Sequence, residues 1–452
     1  MRLPVAAPSL ANMILKYFEE SAGAPDRFLT IQDSAGGAAP DGRYRHWDKL
    51  RYLPPPGDLT HEEWWLGIKL ARQPLWRPFP LRDGSGRTFK FAMPDIAAEM
   101  VHHIDKEASG TIQALEPLAN EGTRDRYLIS SLMEEAITSS QLEGAATTRK
   151  VAKEMLRSGR KPRNKSEQMI LNNFRAMLKI AELGGAPLTP DHVFELHGIL
   201  TEGTLDDPGA VGRFRRPEEP IRVEDETGQV LHLPPQAEEL RERMNTMCRF
   251  ANEGLGGAFI HPVAKAVLLH FWLAYDHPFV DGNGRTARSL FYWSMARDGY
   301  WLIAFTSISR LLKAERVGYA RSFLYSETDE NDATYFLLHQ CGIIRRAISE
   351  LHSYLARKTR EVHRGRELLR QSGAARLDLN FRQVAVLRYA LDHPGTQFSI
   401  KVHQDYHRTS YQTARTDLLG LAKQDLLIKG RVGREFVFFA PPNLAERLEN
   451  PE

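Results

Sequence analysis

The sequence predicts a mainly α-helical fold, with a helical body, one β-hairpin inside it and a smaller C-terminal domain. From about residue 96 onward, apolar residues recur at spacings of three and four, which is typical of amphipathic helices. Residues 221–233 depart from this pattern, because two short apolar segments flank a turn there. Residues 377–452 combine three short helical segments with a final pair of strands.

The composition is that of an ordinary globular protein. The chain has 452 residues, of which 42% are hydrophobic and 26% are charged. This balance excludes a mainly disordered or collagen-like chain. Only Cys248 and Cys341 are present, which excludes a disulfide scaffold and favours a reducing compartment. An apolar run of about 18 residues and a signal-peptide pattern are both absent, so we expect a cytoplasmic protein without a membrane partner.

We predict four regions along the chain: an N-terminal extension (1–95), a helical domain (96–343), a linker helix (344–376) and a C-terminal domain (377–452). The charge distribution supports a separate C-terminal part. Residues 345–440 contain eighteen Lys and Arg against nine Asp and Glu, whereas the whole chain has a net charge of +3. A basic part attached to a mildly acidic body indicates two functions or two partners.

Helix start signals define the main elements of the body. Thr60 reads as the N-cap of a helix with an acidic first turn, and Thr189-Pro190 reads as another helix start. Apolar spacing predicts further helices at about 125–138, 149–158, 166–183, 262–275 and 286–297.

The hairpin at residues 221–233 has two interpretations. Its turn is Asp225–Gly228, and the segments on either side favour short strands. A lone hairpin in a helical body is marginally stable by itself, so it could be a simple surface excursion. The alternative is a strand edge offered to a partner chain.

Residues 277–288 read His-Pro-Phe-Val-Asp-Gly-Asn-Gly-Arg-Thr-Ala-Arg and form the most informative stretch. Gly282 and Gly284 flank Asn283, so the backbone can turn tightly and lie close to a ligand. The loop leads into a predicted helix. The free N–H groups and positive dipole end of a helix N-terminus suit a phosphate group.

Charged and titratable side chains surround that loop. Arg285 and Arg288 are three residues apart and can hold a polyphosphate together. Asp281 offers a hard carboxylate of the kind that Mg²⁺ prefers beside phosphates. His277 has a side chain that can accept a proton near neutral pH. The alternative is a glycine-rich turn with a structural histidine and solvated arginines. This alternative explains any one of these residues taken alone, but it explains poorly why all of them occur in one loop.

This stretch resembles the signature of the Fic family, which reads His-Pro-Phe-x-Asp-Gly-Asn-Gly-Arg-x-x-Arg. Each specified position is met in this sequence, by His277, Pro278, Phe279, Asp281, Gly282, Asn283, Gly284, Arg285 and Arg288. The resemblance implies a mostly helical Fic core. It also implies transfer of AMP from ATP to a Ser, Thr or Tyr hydroxyl of a target protein, with release of pyrophosphate.

The resemblance also implies a role for each residue of the loop. His277 would deprotonate the target hydroxyl, and Asp281 would hold Mg²⁺ against the α- and β-phosphates. The anion hole around the α-phosphate would be formed by Asn283 with the backbone of Gly282 and Gly284. The outer phosphates would be bound by Arg285 and Arg288. The intact Gly-Asn-Gly-Arg favours AMP transfer over the phosphorylation of the related Doc kinases. It leaves UTP and GTP open as donors, because the motif contacts phosphates and not bases.

A second motif lies upstream, at residues 139–144. By themselves, Ser139 and Glu143 are an i, i+4 pair at a helix end that Gly144 closes. Beside a Fic loop, they resemble the inhibitory motif Ser/Thr-x-x-x-Glu-Gly/Asn, here on a helix near 125–144. Glu143 would then pair with Arg288 and prevent it from holding the γ-phosphate.

The Fic-like region extends over roughly residues 96–340. The resemblance makes the hairpin a flap, in which Ile221, Arg222 and Val223 would align the target segment by main-chain pairing. Tyr319 either lines the nucleotide pocket or packs in the core.

The C-terminal domain resembles a winged helix-turn-helix. The candidates for its recognition helix are Arg408, Tyr411, Gln412, Arg415 and Thr416. The candidates for its wing are Lys429, Arg431 and Arg434. Such residues suit duplex DNA, bound through residues 377–440. The alternative is a winged helix that mediates homodimerisation or docking of a target protein.

Three functions therefore remain open from the sequence. The leading interpretation is a self-inhibited protein adenylyltransferase that uses ATP and Mg²⁺. The second is the reverse reaction, in which Glu143 orients water so that AMP is removed from a modified protein. The third is a DNA-binding regulator whose Fic site is secondary.

Overall fold

The computed structural model describes residues 2–20, 25–108, 121–371, 377, 379–393, 395–432 and 435–449. The predicted mainly α fold is confirmed, since helices dominate and the strands form only small sheets. In these ranges, no helix is long and apolar enough to cross a bilayer. The chain divides into two compact units, Met1–Gly110 with Ser131–Ile348, and Thr111–Ser130 with Ser349–Glu452.

The first 110 residues belong to unit 1 together with the helical body. Their helices and strands are α1 (Leu10–Glu20), α2 (Pro25–Ser34), α3 (Trp47–Leu50), α4 (His61–Arg72), β1 (Arg77–Arg82), β2 (Thr88–Phe91) and α5 (Asp95–Ala108). Strands β1 and β2 form an antiparallel pair.

Thr60 begins α4 as predicted. Its hydroxyl accepts a hydrogen bond from the Glu63 N–H (3.2 Å), and the Glu63 carboxylate accepts one from the Thr60 N–H (2.8 Å), which completes a capping box. Farther along α4, the fully buried Lys69 forms an ion pair with the fully buried Asp329 at 2.6 Å. The N-terminal segment is therefore joined to the main body of unit 1 by a buried charge pair.

The remainder of unit 1 carries the site. Its elements are α6 (Glu121–Leu142, which begins in unit 2), α7 (Arg149–Ser158), α8 (Lys165–Leu183), α9 (Pro190–Thr201), β3 (Val223–Glu224), β4 (Val230–His232), α10 (Leu240–Glu253), α11 (Pro262–Asp276), α12 (Asn283–Arg297), α13 (Ile308–Ala314), α14 (Arg316–Thr328) and α15 (Thr334–Gln371, which ends in unit 2).

Helices α11 and α12 lie at the centre of unit 1. Nearly every side chain on them is buried, including the large rings of Trp272 and Trp293. A helix that is buried on all sides must lie inside a layer of other helices. The loop that joins α11 to α12 therefore begins and ends on buried helices.

Unit 2 ends in a small α/β arrangement. Its elements after α15 are α16 (Phe381–Asp392), β5 (Gln397–Ser399), α17 (Ile400–His407), α18 (Tyr411–Lys423), β6 (Ile428–Val432), β7 (Glu435–Phe439) and α19 (Leu444–Glu449). The strands form one sheet in the order β5-β7-β6. Leu387, Leu418 and Phe438 lie in its apolar core. This order of elements is the one expected of a winged helix, an assignment that stays a prediction.

The predicted domain boundaries also stay predictions. Helix α15 runs without a break across residue 343, where the linker helix was expected to begin. The expected linker at 371–375 falls outside the described residues except for Gln371, and the wing residue Arg434 lies outside them too.

Candidate functional site

The loop between α11 and α12 is closed by the side chain of Asn283. The Asn283 Oδ1 accepts a hydrogen bond from the Phe279 N–H (2.9 Å), and its Nδ2 donates to the Phe279 carbonyl (2.8 Å). Both side-chain groups of the buried Asn283 are thus used inside the protein. Asn283 was predicted to contribute to an anion hole. In this arrangement, its backbone N–H in the first turn of α12 is the group that remains for an anion.

Two glycines let other groups approach the start of α12. Gly282 has a left-handed backbone (φ 83°), and a Cβ there would lie 2.8 Å from the Thr201 side chain. A Cβ on Gly284 would collide with Glu143 Oε1 and would lie 3.1 Å from Arg288 Nη1. The space over Gly284, at the N-terminus of α12, is therefore occupied by a carboxylate.

Arg288 is almost completely buried and faces the end of α6. Its Nε donates to Ser139 Oγ (2.9 Å), and its Nη2 donates to Glu143 Oε1 (2.9 Å) and to the Ser139 carbonyl (3.1 Å). Arg288 Nη1 is also buried and has no hydrogen-bond partner among the described residues. Burial opposes the charge on Arg288, but the nearby Glu143 carboxylate outweighs this effect and raises the pKa of the guanidinium.

Glu143 follows the last residue of α6. Gly144 turns the chain there with φ 94°, and the Ala145 N–H donates to the Ser140 carbonyl (3.0 Å), so the helix ends in the way that its sequence predicts. The Glu143 side chain is 28% exposed, whereas that of Arg288 is 2% exposed. The pair therefore lies at the edge of the buried region, where one partner can still reach solvent.

Asp281 and Arg285 form the other charged pair of the loop. Asp281 Oδ1 accepts from the Gly282 N–H (2.6 Å), and its Oδ2 lies 3.3 Å from Arg285 Nη2. The Asp281 side chain is 51% exposed. Arg285 donates through Nη1 to the Leu200 carbonyl (2.8 Å), while its buried Nε has no partner in the described ranges. Burial lowers the pKa of Arg285.

His277 caps α11 in a left-handed conformation (φ 46°) and is half-buried. Its Nδ1 lies 3.1 Å from the Ala274 carbonyl. A carbonyl can only accept, so Nδ1 carries the proton and Nε2 holds the lone pair in the neutral ring. Burial lowers the pKa of His277 to about 4, so the ring is neutral near pH 7.

Sequence reasoning missed His197, on α9. Its Nε2 donates to the Asp281 carbonyl (3.0 Å), its Nδ1 accepts from the Gly212 N–H (3.1 Å), and its ring stacks on Phe279 with centroids 3.7 Å apart. Burial lowers the pKa of His197 to about 4, consistent with a neutral ring that donates once and accepts once. The one sequence feature that could have identified His197 is its position on the apolar face of a predicted helix. A histidine in such a position is more often structural than functional.

Arg215 was also missed as a contact of the loop. Its Nε donates to the His277 carbonyl (2.9 Å), its backbone N–H donates to the Pro278 carbonyl (2.9 Å), and its Nη2 donates to the Pro235 carbonyl. One buried side chain therefore joins the residue that caps α11 to the chain segment just after the hairpin.

The hairpin forms next to this loop but is shorter than predicted. Of the three predicted docking residues, only Val223 lies in a strand, and Ile221 and Arg222 precede it. His232 on β4 bonds to the Tyr275 carbonyl (2.7 Å) and to Glu327 (2.8 Å). Burial disfavours charge on this ring, but the bonds to these acceptors prevail and raise the pKa of His232.

Tyr319 lies close enough to Arg288 for the two side chains to interact electrostatically. Its hydroxyl lies 2.8 Å from Nε2 of the fully buried His270, and the Tyr319 side chain itself is half-buried. Burial raises the pKa of Tyr319 to about 12, so this phenol stays protonated. These contacts join Tyr319 to buried side chains, and nothing in them decides between the two predicted alternatives, a nucleotide pocket and the core.

Comparison with known proteins supports the interpretation of the loop. The sequence profile of the Fic/DOC family matches residues 187–295. The curated relative "Protein adenylyltransferase Fic" of Nematostella vectensis is 34% identical over 116 residues, which cover 25% of this chain and 24% of that protein. The Drosophila melanogaster protein of the same name is 37% identical over 113 residues, covering 25% and 21%. The chain thus spans about a quarter of the length of these relatives.

Solved Fic structures also align with the chain. A Fic family protein from Desulfovibrio desulfuricans has a TM-score of 0.47 at 18% identity, over 76% of this chain and 95% of that one. Fic-1 (residues 134–508) from C. elegans has a TM-score of 0.48 at 18% identity, over 67% and 78%. The sequence profile and the curated relatives confirm the resemblance that the loop motif predicted. Residues 187–295 of this chain form a domain of the Fic/DOC family.

Proposed function

We propose that this protein transfers AMP from ATP to a hydroxyl side chain of a target protein, and that Glu143 restrains the reaction. One observation carries the proposal. The Glu143 carboxylate lies over Gly284 at the N-terminus of α12 and bonds to Arg288, in the place that the loop chemistry assigns to a phosphate. Curated relatives of the Fic domain bear the name protein adenylyltransferase, which supports the reaction class.

The donors around α12 fit a polyphosphate. Arg288 Nη1 and Arg285 Nε are buried donors without a partner in the described part of the chain. Unpaired buried donors cost free energy, so an anion that reached them would be stabilised. The glycine at position 284 leaves room for that anion once the Glu143 carboxylate moves away.

His277 is proposed as the general base. Its neutral ring has the lone pair on Nε2, because Nδ1 faces the Ala274 carbonyl. In the reaction, the target oxygen forms a bond to the α-phosphorus, and the bond from that phosphorus to pyrophosphate breaks. The hydroxyl proton moves to Nε2 of His277. Since burial lowers the pKa of His277 to about 4, protonation of this base does not limit the reaction near neutral pH.

A magnesium ion fits the chemistry of the loop. Among the described residues, no group of three or more His, Cys, Asp or Glu could hold a metal by itself. Mg²⁺ often uses one protein carboxylate together with substrate phosphates and water. The half-exposed Asp281 beside the start of α12 would hold it in that way. When bound, the ion would neutralise phosphate charge.

The hairpin is proposed as the docking edge for the target. It approaches the end of α11 through the bond from His232 to the Tyr275 carbonyl, two residues before His277. A target segment that paired with the open edge of β3 would lie beside the proposed base. Arg215 would transmit a shift of the segment after the hairpin to the His277 carbonyl.

Removal of AMP from a modified protein is the second candidate function. It is favoured by the same carboxylate, because Glu143 is partly exposed and could orient a water molecule near the loop. The two functions respond oppositely to loss of Glu143. A Glu143→Gly variant should gain transfer activity and should lose any removal activity.

The test is intact-mass spectrometry of the Glu143→Gly variant after incubation with Mg²⁺ and each of the four nucleoside triphosphates. We expect a mass gain of one AMP with ATP, and no gain when His277→Ala is added to the same variant. A gain from another nucleotide would change the donor but keep the reaction class. A gain that survives His277→Ala would show that the base has been assigned wrongly.

A further inference from the structure

Helices α17 and α18 form a helix-turn-helix. Three residues separate them, and the first, Arg408, has a left-handed backbone (φ 47°) that ends α17. Ser410 then caps α18 by accepting a hydrogen bond from the Thr413 N–H (3.1 Å). Ile400 on α17 and Leu418 on α18 lie in the same apolar core, so the two helices are packed together.

The outer face of α18 carries side chains that can contact nucleic acid. Tyr411, Gln412 and Thr416 are exposed, and Arg415 is half-buried. All four have hydrogen-bonding groups suited to base edges or phosphates. They occupy the first two turns of the second helix of the motif, which is the part that enters the major groove in helix-turn-helix proteins.

The only carboxylate of α18 is turned inward. Asp417 accepts hydrogen bonds from Asn380 Nδ2 (2.7 Å), Arg382 Nε (2.7 Å) and His403 Nε2 (3.1 Å). Burial disfavours its charge, but these donors lower the pKa of Asp417. The carboxylate thus remains charged and paired inside unit 2, so the face of α18 that meets solvent bears no negative charge to repel a phosphate backbone.

The β6–β7 hairpin presents two cations on one face. Lys429 and Arg431 are two residues apart on β6, and both are exposed. The Lys429 ammonium lies 4.0 Å from the centroid of the Phe436 ring on β7, and the Arg431 guanidinium lies 5.1 Å from it. An aromatic ring on the neighbouring strand therefore positions both cations at the surface.

We propose that this helix-turn-helix and hairpin bind duplex DNA, a second function separate from the proposed AMP transfer. Along the described parts of α17, α18, β6, β7 and the turns between them, six cations are exposed or half-buried, against the exposed carboxylates of Asp405, Asp425 and Glu435. That excess of positive charge suits a polyanion. A second copy of the chain would meet the same positive charge and be repelled by it.

The test measures binding of a fluorescent 30-base-pair duplex of random sequence to the full chain by anisotropy, from 50 to 200 mM salt. We expect saturable binding that weakens steeply with salt, because each neutralised phosphate releases counterions. The double variant Lys429→Ala with Arg431→Ala should reduce the slope of log affinity against log salt by about two. Arg415→Ala should weaken binding as well.

The matched control is Arg388→Ala, which removes an exposed cation from α16 in the same unit. It should leave the affinity and the slope unchanged. Equal losses in Arg388→Ala and in the hairpin variant would mean diffuse charge attraction and would overturn the proposal. Absence of saturable binding at 50 mM salt by a chain that melts cooperatively would overturn it as well.

Two further measurements distinguish DNA binding from dimerisation and from AMP transfer. If light scattering shows that the hairpin variant converts a dimer to a monomer while the wild type does not bind DNA, the surface serves a second copy and the proposal is wrong. The hairpin changes, added to Glu143→Gly, should leave self-modification by ATP unchanged. Loss of DNA binding and loss of AMP transfer are thereby distinguishable.

Discussion

At the residue scale, the contact over Gly284 places the Glu143 carboxylate in the space that the proposed function assigns to a phosphate. Glu143 Oε1 fills the space that a side chain at this position would need, and Arg288 Nη1 lies 3.1 Å from the same point. A carboxylate and a phosphate are both anions that favour a helix N-terminus. Under the proposed function, Glu143 and a nucleotide would therefore compete for the same donors.

This proposed competition predicts opposite effects of two substitutions on the rate of self-modification. Glu143→Gly should accelerate self-modification, but adding Gly284→Ala should reduce that rate at least tenfold, because the methyl group would occupy the proposed phosphate space. Intact-mass time courses of the two variants give the rates. Gly342→Ala is the matched control, since a Cβ there meets no atom within 4 Å. Equal rates with and without Gly284→Ala would place the phosphates elsewhere.

His197 is predicted to be a positioning residue for the loop. His197→Ala would leave the Asp281 carbonyl and the Gly212 N–H without partners and would remove the stack on Phe279. We expect a loss of roughly 1–3 kcal/mol in the free energy of unfolding. In the Glu143→Gly background, kcat should fall more than the KM for ATP changes.

The control for this prediction is His192→Ala, which removes a more exposed histidine from the same helix. It should alter neither the stability nor kcat. Thermal unfolding and steady-state kinetics measure both effects. If His197→Ala kept the wild-type melting temperature and kcat, the contacts of His197 would have no role in holding the loop.

At the element scale, α6 is anchored about two turns before the end that carries Ser139 and Glu143, which is proposed to be inhibitory. Glu135 accepts hydrogen bonds from Ser307 Oγ (2.8 Å), the Ser309 N–H (3.1 Å) and Ser309 Oγ, at the start of α13. Glu135, Ser139 and Glu143 are spaced by four residues, so they follow one face of the helix. The anchor therefore aligns the residues that contact Arg288.

Loosening this anchor should release inhibition in part. Glu135→Ala leaves the backbone N–H and the hydroxyl of Ser309 without their acceptor, whereas Ser307 Oγ keeps Thr138 Oγ1 at 3.0 Å, so we expect a lower melting temperature. We also expect faster self-modification than wild type, though slower than for Glu143→Gly, because Glu143 itself remains. Glu134→Ala, which removes a neighbouring carboxylate that pairs with Arg149 and Lys153, is the control. A drop in melting temperature without faster self-modification would show that α6 stays in place without its anchor.

The sequence predicted local features of the site better than distant ones. The loop was predicted because its long motif lies in contiguous residues, and the Glu143–Arg288 pair was predicted because residues 139–144 resemble the inhibitory motif of the Fic family. The start of α12 was expected at residue 286 but lies at Asn283, since the polar first turn hides the apolar periodicity. Strand β5 was missed, because its three residues gain their pairing only from the distant β7.

The contacts of buried polar residues were the least predictable. His197 and Arg215 reach the loop from segments more than 60 residues away, and nothing in their local sequence identifies the partner. Likewise, the buried pair of Lys69 and Asp329 joins a helix near the N-terminus to the end of α14. Such pairs depend on tertiary packing, which spacing along the chain does not reveal.

At the scale of the whole molecule, several neutral histidines make stability sensitive to acid. Burial lowers the pKa of His46, His197, His277 and His339 to about 4. As the pH falls below about 6.5, the unfolded chain takes up protons that the folded chain refuses, so the free energy of unfolding decreases. Each such group contributes at most about 1.4 kcal/mol per pH unit in this window.

The titration of His232 has the opposite effect on the free energy of unfolding. The pKa of His232 is raised in the fold by Glu327, despite burial, so its contribution is fully present below about pH 6.5 and is lost as the pH rises through the raised value. Melting temperatures measured from pH 7.5 to 5.5 should still decrease, because burial also lowers the pKa of His270 and His407, so that six histidines oppose one. His232→Gln should make the decrease steeper. A melting temperature that rises on acidification would contradict this assignment of charge states.

The central claim is that Glu143 restrains AMP transfer by holding Arg288 and covering the start of α12. Its most direct test is the initial rate of self-modification by ATP and Mg²⁺, measured by intact mass for wild type, Glu143→Gln and Glu143→Gly. Loss of a charged hydrogen bond, worth about 1.5–3 kcal/mol, predicts a rate for Glu143→Gly that is roughly tenfold to a hundredfold above wild type. Glu143→Gln should be intermediate. Equal rates for all three proteins would contradict the claim.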